Sequence, residues 1–121
     1  INAACVAAAV PLVAGAALAF DGQLSVWDTR LADAPCYACV FPPAAAPPEA
    51  RCATMGVFAP LVGIIGTMQA AEALKLVARI GTSLAGRLQI LDARDMSWTT
   101  IRVARDPACP VCASRGNASR A

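Results

Sequence analysis

A chain of 121 residues is long enough for one ordinary domain and too short to bury two independent cores. Ten Lys and Arg against eight Asp and Glu leave a formal charge of +2 with no histidine. These charges are scattered, which excludes a basic stripe for nucleic acid and an acidic solvating tail. Hydrophobic residues make up 58% with few aromatics, which excludes disorder for most of the chain and suits small side chains packed on a sheet or a partner subunit.

The first twenty residues, INAACVAAAVPLVAGAALAF, carry no charge. A signal peptide would place basic residues ahead of its apolar core, and no Lys or Arg precedes Arg30. A spanning helix would need about 20 unbroken apolar residues, whereas Pro11 and Gly15 divide this stretch. The expectation is a buried helix end over Ile1 to Ala9, with Cys5 as a small core residue, then a continuously apolar buried strand over Pro11 to Ala17. A start at Ile rather than Met leads us to expect the tail of a longer polypeptide.

FDGQLSVWD, residues 20 to 28, reads as a second strand forming a hairpin with the first, Asp21-Gly22 supplying the turn. Residues 41 to 51, FPPAAAPPEAR, hold four prolines that forbid regular structure, so an exposed, mobile loop is expected. Gly56 to Ile80 reads as a helix that tolerates Pro60 in its first turn and stops at Gly81. Its first half is apolar on every side, and Gln69, Glu72, Lys75 and Arg79 form one polar stripe on the second half, predicting a buried start and a half-exposed end. On that reading Glu72 and Lys75 are a charge pair on a solvated face, without a catalytic role. GRLQILD and SWTTIRVAR then read as two strands joined by a tight turn at Ala93 to Met96, with Thr99, Ile101 and Val103 on one face, and a flexible tail follows over 114 to 121. Trp27, Trp98 and Phe41 are expected to be packing groups. The architecture predicted is an α/β domain with a mixed, largely antiparallel sheet, one long helix against it and a four-cysteine site at one edge.

Chemistry concentrates in two Cys-x-x-Cys pairs, APCYACVFP (34 to 42) and DPACPVCA (106 to 113). Each pair on a tight knuckle aims two sulfurs at one centre, and two knuckles supply four thiolates at tetrahedral corners about 2.3 Å from a zinc ion. A closed shell of soft sulfur leaves no position for substrate, so a zinc held by Cys36, Cys39, Cys109 and Cys112 would be structural. It would join segments separated by the 69 residues between Cys39 and Cys109, a connection costly to close in the unfolded chain. Two disulfides, a redox pair and an iron–sulfur cluster are rival uses of the same residues. Disulfides would leave Cys5 and Cys52 over in a chain that nothing marks as secreted, and redox pairs usually open a helix after a strand.

Taken in order, INAACVAAAVPLVAGAA, FDGQLSVWD, PCYACVFP, RCATMGVFAPLVGIIGTMQAAEALKL and DPACPVC resemble the C-terminal half of the ThiF/MoeB adenylyltransferases, relatives of ubiquitin-activating enzymes. The resemblance covers nearly the whole chain and implies the C-terminal part of a Rossmann-like ThiF/MoeB fold. It implies an enzyme that uses Mg-ATP to adenylate the C-terminal glycine of a ubiquitin-like sulfur carrier, of ThiS type for thiamin or MoaD type for molybdopterin, before conversion to a thiocarboxylate. Such activation makes a poor electrophile reactive by giving it AMP as leaving group, and it needs cations and backbone donors around the phosphates. No glycine-rich phosphate loop follows a strand in this sequence. The family's ATP-binding residues belong ahead of Ile1, so the chain alone is expected to be inactive.

The resemblance carries Cys36, Cys39, Cys109 and Cys112 over as zinc ligands. It places Cys52 where many members hold a cysteine implicated in thiol chemistry with the carrier's C-terminus; Arg51 beside it would favour the thiolate, and the alternative is a half-exposed cysteine without a role. MoeB-like members often have an acidic residue soon after this cysteine, whereas Ala53, Thr54 and Met55 stand here, a closer match to ThiF-like sequences. A cytoplasmic homodimer, binding neither nucleic acid nor membrane, is the expected assembly. A stand-alone zinc-stabilised interaction or dimerisation module without catalysis is the second reading.

Overall fold

The computed structural model describes residues 1–42 and 56–114. Cys52, nearly all of the proline-rich segment 41–51 and all but the first residue of the 114–121 tail lie outside the described residues. The elements are α1 (Asn2–Ala8), β1 (Leu12–Leu18), β2 (Asp21–Trp27), the single turn α2 (Tyr37–Val40), α3 (Ala59–Ala78), β3 (Arg87–Asp92) and β4 (Ser97–Arg102). The four strands form one antiparallel sheet in the order β1-β2-β3-β4. Among the described residues, parallel pairing is limited to the isolated bridges of Ala19 with Val57 and Val26 with Ala85.

The hairpin forms as expected, but its turn lies two residues earlier than Asp21-Gly22. Leu18 pairs with Asp21 and Ala17 with Gly22, so the turn is Ala19-Phe20, with Ala19 in the left-handed region at φ 51°. Gly22 serves packing instead. A Cβ there would stand 2.9 Å from Leu61 Cδ1 and Ile65 Cδ1, so its absence lets α3 lie directly on β2. The turn is tied to the entry of α3: Ala19 N–H donates to Gly56 O at 2.9 Å, Phe58 N–H donates to Ala19 O at 2.8 Å, and the Phe20 and Phe58 rings stand 5.2 Å apart.

Alternation on β2 sends Gly22, Leu24 and Val26 towards α3, and the core follows from that. Leu24, Val26 and Leu84 pack with Val13, Met68 and Leu76, while Leu61, Ile65 and Leu91 pack with Ala17 and Ile64. Burying each of these leucines contributes about 1.5–3 kcal/mol. Trp27 points to the other face, fully buried, its ring edge-on to Tyr37 at 5.9 Å. The β3–β4 hairpin has the expected turn, with Asp92 paired to Ser97.

Several expectations are overturned. α1 has no buried residue, Cys5 is only half-buried, and β1 is half-buried with Gly15 and Ala16 exposed, because β1 is a sheet edge. β4, the opposite edge, is exposed along its whole length, leaving Trp98 on the surface, while Phe41 is half-buried against Tyr37 at 4.9 Å. α3 runs over Ala59–Ala78 with Pro60 in its first turn, but Arg79, not Gly81, takes the left-handed stop at φ 57°, and Ile80 N–H closes the turn on Lys75 O at 3.1 Å.

The polar stripe of α3 turns inward at Gln69 and Glu72, while Arg79 stays exposed. Gln69 Nε2 donates to Val13 O at 3.4 Å, and Glu72 is 5% exposed, accepting the Leu84 N–H at 2.6 Å and pairing with Lys75. Lys75 Nζ in turn donates to Thr82 O at 2.8 Å. The pair is therefore a buried latch for the α3–β3 connection, not a solvated-face pair. The outward side, Val62, Gly63, Gly66, Thr67, Ala70, Ala73, Leu74 and Val77, is exposed and uncharged. By length and composition α3 is apolar enough to cross a membrane, yet its inner stripe closes on the sheet.

Candidate metal centre

The first knuckle is built on α2. Cys36 caps this single turn, Cys39 N–H donates to Cys36 O at 3.0 Å, and Cys36 N–H points at Cys39 Sγ at 3.4 Å. Asn2 steadies it from α1, its Nδ2 3.5 Å from Cys36 Sγ and its Oδ1 accepting the Tyr37 N–H at 3.3 Å. Upstream, Asp28 is buried and holds Arg30 through both carboxylate oxygens at 2.8 Å, fixing the exit of β2. The Arg30 guanidinium keeps the Asp28 carboxyl below the usual range.

The second knuckle follows β4. Asp106 opens it, its Oδ1 accepting the Ala108 N–H at 2.9 Å and its carbonyl the Cys109 N–H at 3.1 Å, and Ala113 N–H returns to Cys109 O at 3.1 Å. Arg105 reaches across both segments. Its Nη1 donates to Ala32 O at 2.9 Å, and its Nη2 donates to Cys112 O and, at 3.4 Å, to Ala113 O.

These knuckles bring all four expected sulfurs together within 4.8 Å of one another. Cys36 and Cys109 are 3.7 Å apart, Cys39 and Cys112 3.4 Å, and Cys36 and Cys39 3.9 Å. A tetrahedron with metal–sulfur bonds of about 2.3 Å has edges of about 3.8 Å, so the cage matches one ion. A disulfide would require sulfurs about 2.05 Å apart, and all four cysteines are free. A multi-iron cluster would spread the sulfurs over several metals, against this single close-packed tetrahedron. Cys36, Cys109 and Cys112 are buried and Cys39 half-buried, with Val6 and Val111 packed against them.

Electrostatics makes the cage depend on a cation. Burial pushes the Cys39 thiol up, and burial with the neighbouring thiols pushes Cys112 up to about 12, Arg105 offsetting only part. Burial opposes ionisation of Cys109 too, but the backbone donors of Cys112 and Val111, aided by Cys36 and Cys112, outweigh it and bring that thiol down to about 7. The Cys109 thiolate forms more readily while Cys39 and Cys112 resist ionisation, a balance that a divalent ion would invert. The four-cysteine cluster can hold a metal ion. Sequence reading missed Asn2 and Arg105 as supports, since neither sits in a ligand spacing and only the fold brings them to the knuckles.

The chain belongs to the ThiF family, whose sequence profile matches residues 1–111. It is 47% identical over 117 residues to the adenylyltransferase and sulfurtransferase MOCS3 of Caenorhabditis briggsae, covering 93% of this chain and 28% of that protein. It is 44% identical over 116 residues to the sulfur carrier protein ThiS adenylyltransferase of Escherichia coli, covering 93% of this chain and 43% of that protein. A SAMP-activating enzyme E1 of Haloferax volcanii is 43% identical over 117 residues, covering 96% of this chain and 42% of that protein. The chain thus spans less than half the length of these relatives. Its fold matches the crystal structure of E. coli MccB with ATP, at a TM-score of 0.72 and 17% identity, over 93% of this chain and 35% of that one.

Proposed function

We propose that this chain is the carrier-binding, metal-bearing part of an adenylyltransferase that activates the C-terminal glycine of a ubiquitin-like sulfur carrier, of ThiS or MoaD type. The observation that carries this reading is the 44% identity to a ThiS adenylyltransferase, which runs along 93% of the chain. In the reaction the carrier's carboxylate oxygen attacks the α-phosphorus of Mg-ATP, pyrophosphate leaves, and an acyl-adenylate forms for later conversion to a thiocarboxylate. The phosphate-binding donors and the metal-binding carboxylate for that step lie in polypeptide outside these 121 residues, so Mg-ATP is a cofactor of the complete enzyme alone.

Zinc is the ion proposed for Cys36, Cys39, Cys109 and Cys112: four soft thiolates at tetrahedral spacing suit it, and with no vacant position it fastens the knuckles without joining the reaction. Reduced thiols of this kind fit a cytoplasmic setting. Cys52 is the proposed thiol for chemistry at the carrier's C-terminus after adenylation. The uncharged outer side of α3 supports a homodimer interface, since such a face on a water-soluble assembly calls for cover.

ATP–pyrophosphate exchange with a ThiS-type or MoaD-type carrier tests the reading, run on this chain and on a longer polypeptide containing it. Exchange in the longer form alone is expected. Absence of exchange in both, with bound zinc and a folded chain, would overturn the enzymatic reading in favour of a non-catalytic interaction module. A clean monomer by sedimentation at micromolar concentration would remove the dimer.

A further inference from the structure

Arg105 stands where a single side chain holds both the segment leading to the first knuckle and the end of the second. Its guanidinium donates to Ala32 O, four residues ahead of Cys36, and to Cys112 O and Ala113 O at the end of the second knuckle. Its Nε is buried and has no hydrogen-bond partner. A buried donor left unpaired is costly, which calls for a reason to keep the guanidinium there. Charge supplies the reason. Four thiolates around a divalent ion leave a net charge of two negatives in a buried cage, and a fixed cation whose Nη2 binds the backbone carbonyl of a ligand residue offsets it.

We propose that Arg105 is a positioning residue of the metal centre: it locks the two knuckles to each other and balances the excess negative charge of the four-thiolate ion complex. The proposal rests on the metal reading above. Lysine is a poor substitute, because an ammonium carries comparable charge but lacks the planar fork that spans carbonyls on two segments. Glutamine keeps a donor and loses the charge. Loss of an outer support of this kind weakens metal binding by about 10- to 100-fold.

The test is titration of the reduced, metal-free 121-residue chain with Co2+ alone, followed by Zn2+ competition, in the native chain and in Arg105→Lys and Arg105→Gln. The thiolate-to-cobalt absorption reports the number of sulfur ligands independently of affinity. Expected is an unchanged four-thiolate spectrum in all three, with affinity reduced about 10- to 100-fold in Arg105→Gln and by less in Arg105→Lys. An Arg105→Gln chain that binds cobalt as tightly as the native chain overturns the proposal. Should Arg105→Gln fail to fold, Arg105→Lys decides: native affinity there overturns the proposal and an intermediate loss supports it. A native chain that binds neither ion instead overturns the metal reading itself, a distinguishable outcome.

Discussion

Replacing Glu72 by alanine separates a buried latch from a solvated charge pair. In the native chain the carboxylate accepts the Leu84 N–H at 2.6 Å, and both residues are buried. Removing it strands that N–H beside Leu24 and Val26, away from water, at a cost of about 1–3 kcal/mol. The lost pairing with Lys75 adds no more than about 1 kcal/mol, because the Lys75 side chain is 29% exposed and keeps its bond to Thr82 O. Alanine's better helix propensity returns about 0.5 kcal/mol. The expected net loss is about 2 kcal/mol for Glu72→Ala. Glu72→Gln keeps an acceptor but not its charge, for a loss of about 1 kcal/mol.

Urea unfolding at fixed metal occupancy gives these differences, and hydrogen exchange at the Leu84 amide should accelerate in Glu72→Ala. A solvent-facing pair would change stability by no more than about 0.5 kcal/mol in either variant. Both variants falling within that margin, with Leu84 exchange unaltered, would refute the latch.

Gly22→Val should destabilise by about 1–3 kcal/mol, read by thermal unfolding, since its side chain would enter the space of Leu61 and Ile65. Metal uptake should strengthen with pH: Cys39 and Cys112 are both held protonated in the empty cage, each must surrender a proton, and affinity should climb by at least about a hundredfold per unit near neutrality in a pH-resolved cobalt titration. Asp28 is held below its usual value by Arg30, so the stability it contributes is present above about pH 4 and lost as pH falls through its lowered folded value. Asp28→Asn should therefore lower the urea midpoint at pH 7 and flatten its fall below pH 4. In a longer polypeptide that shows exchange, Cys52→Ala should leave ATP–pyrophosphate exchange intact and stop only a later thiol step, a split read by following exchange and thiocarboxylate formation separately.

The four sulfurs were legible in the sequence because paired Cys-x-x-Cys spacing dictates a local knuckle whatever surrounds it. The strand pairs and α3 were legible too, through alternation and an unbroken apolar run. What sequence could not carry was direction. The stripe of Gln69, Glu72, Lys75 and Arg79 has the spacing of a solvated face, yet Gln69 and Glu72 turn inward because Val13 O and the Leu84 N–H need partners there. Gly22 looked like turn chemistry because Asp-Gly commonly makes hairpins, whereas close approach of α3 is what its missing side chain serves. Arg105 and Asn2 gave no signal, their role arising from contacts with distant segments.

The molecule divides physically into a part that completes itself and a part that asks for cover. The metal centre draws every described support, from Asn2 and the Cys36 amide to Arg105, from within the chain, and three of its sulfurs are already sealed from water. Around α3 and β1 the balance is reversed: the outer helix side from Val62 to Val77 and the open edge at Gly15 and Ala16 present apolar groups and backbone to solvent. Binding of an ion should thus be a property of these 121 residues, measurable without carrier or nucleotide. On the proposed function, adenylation should appear only when further polypeptide is present. Metal uptake together with no exchange by this chain is the combination the proposed function predicts, and exchange by the chain alone would contradict it.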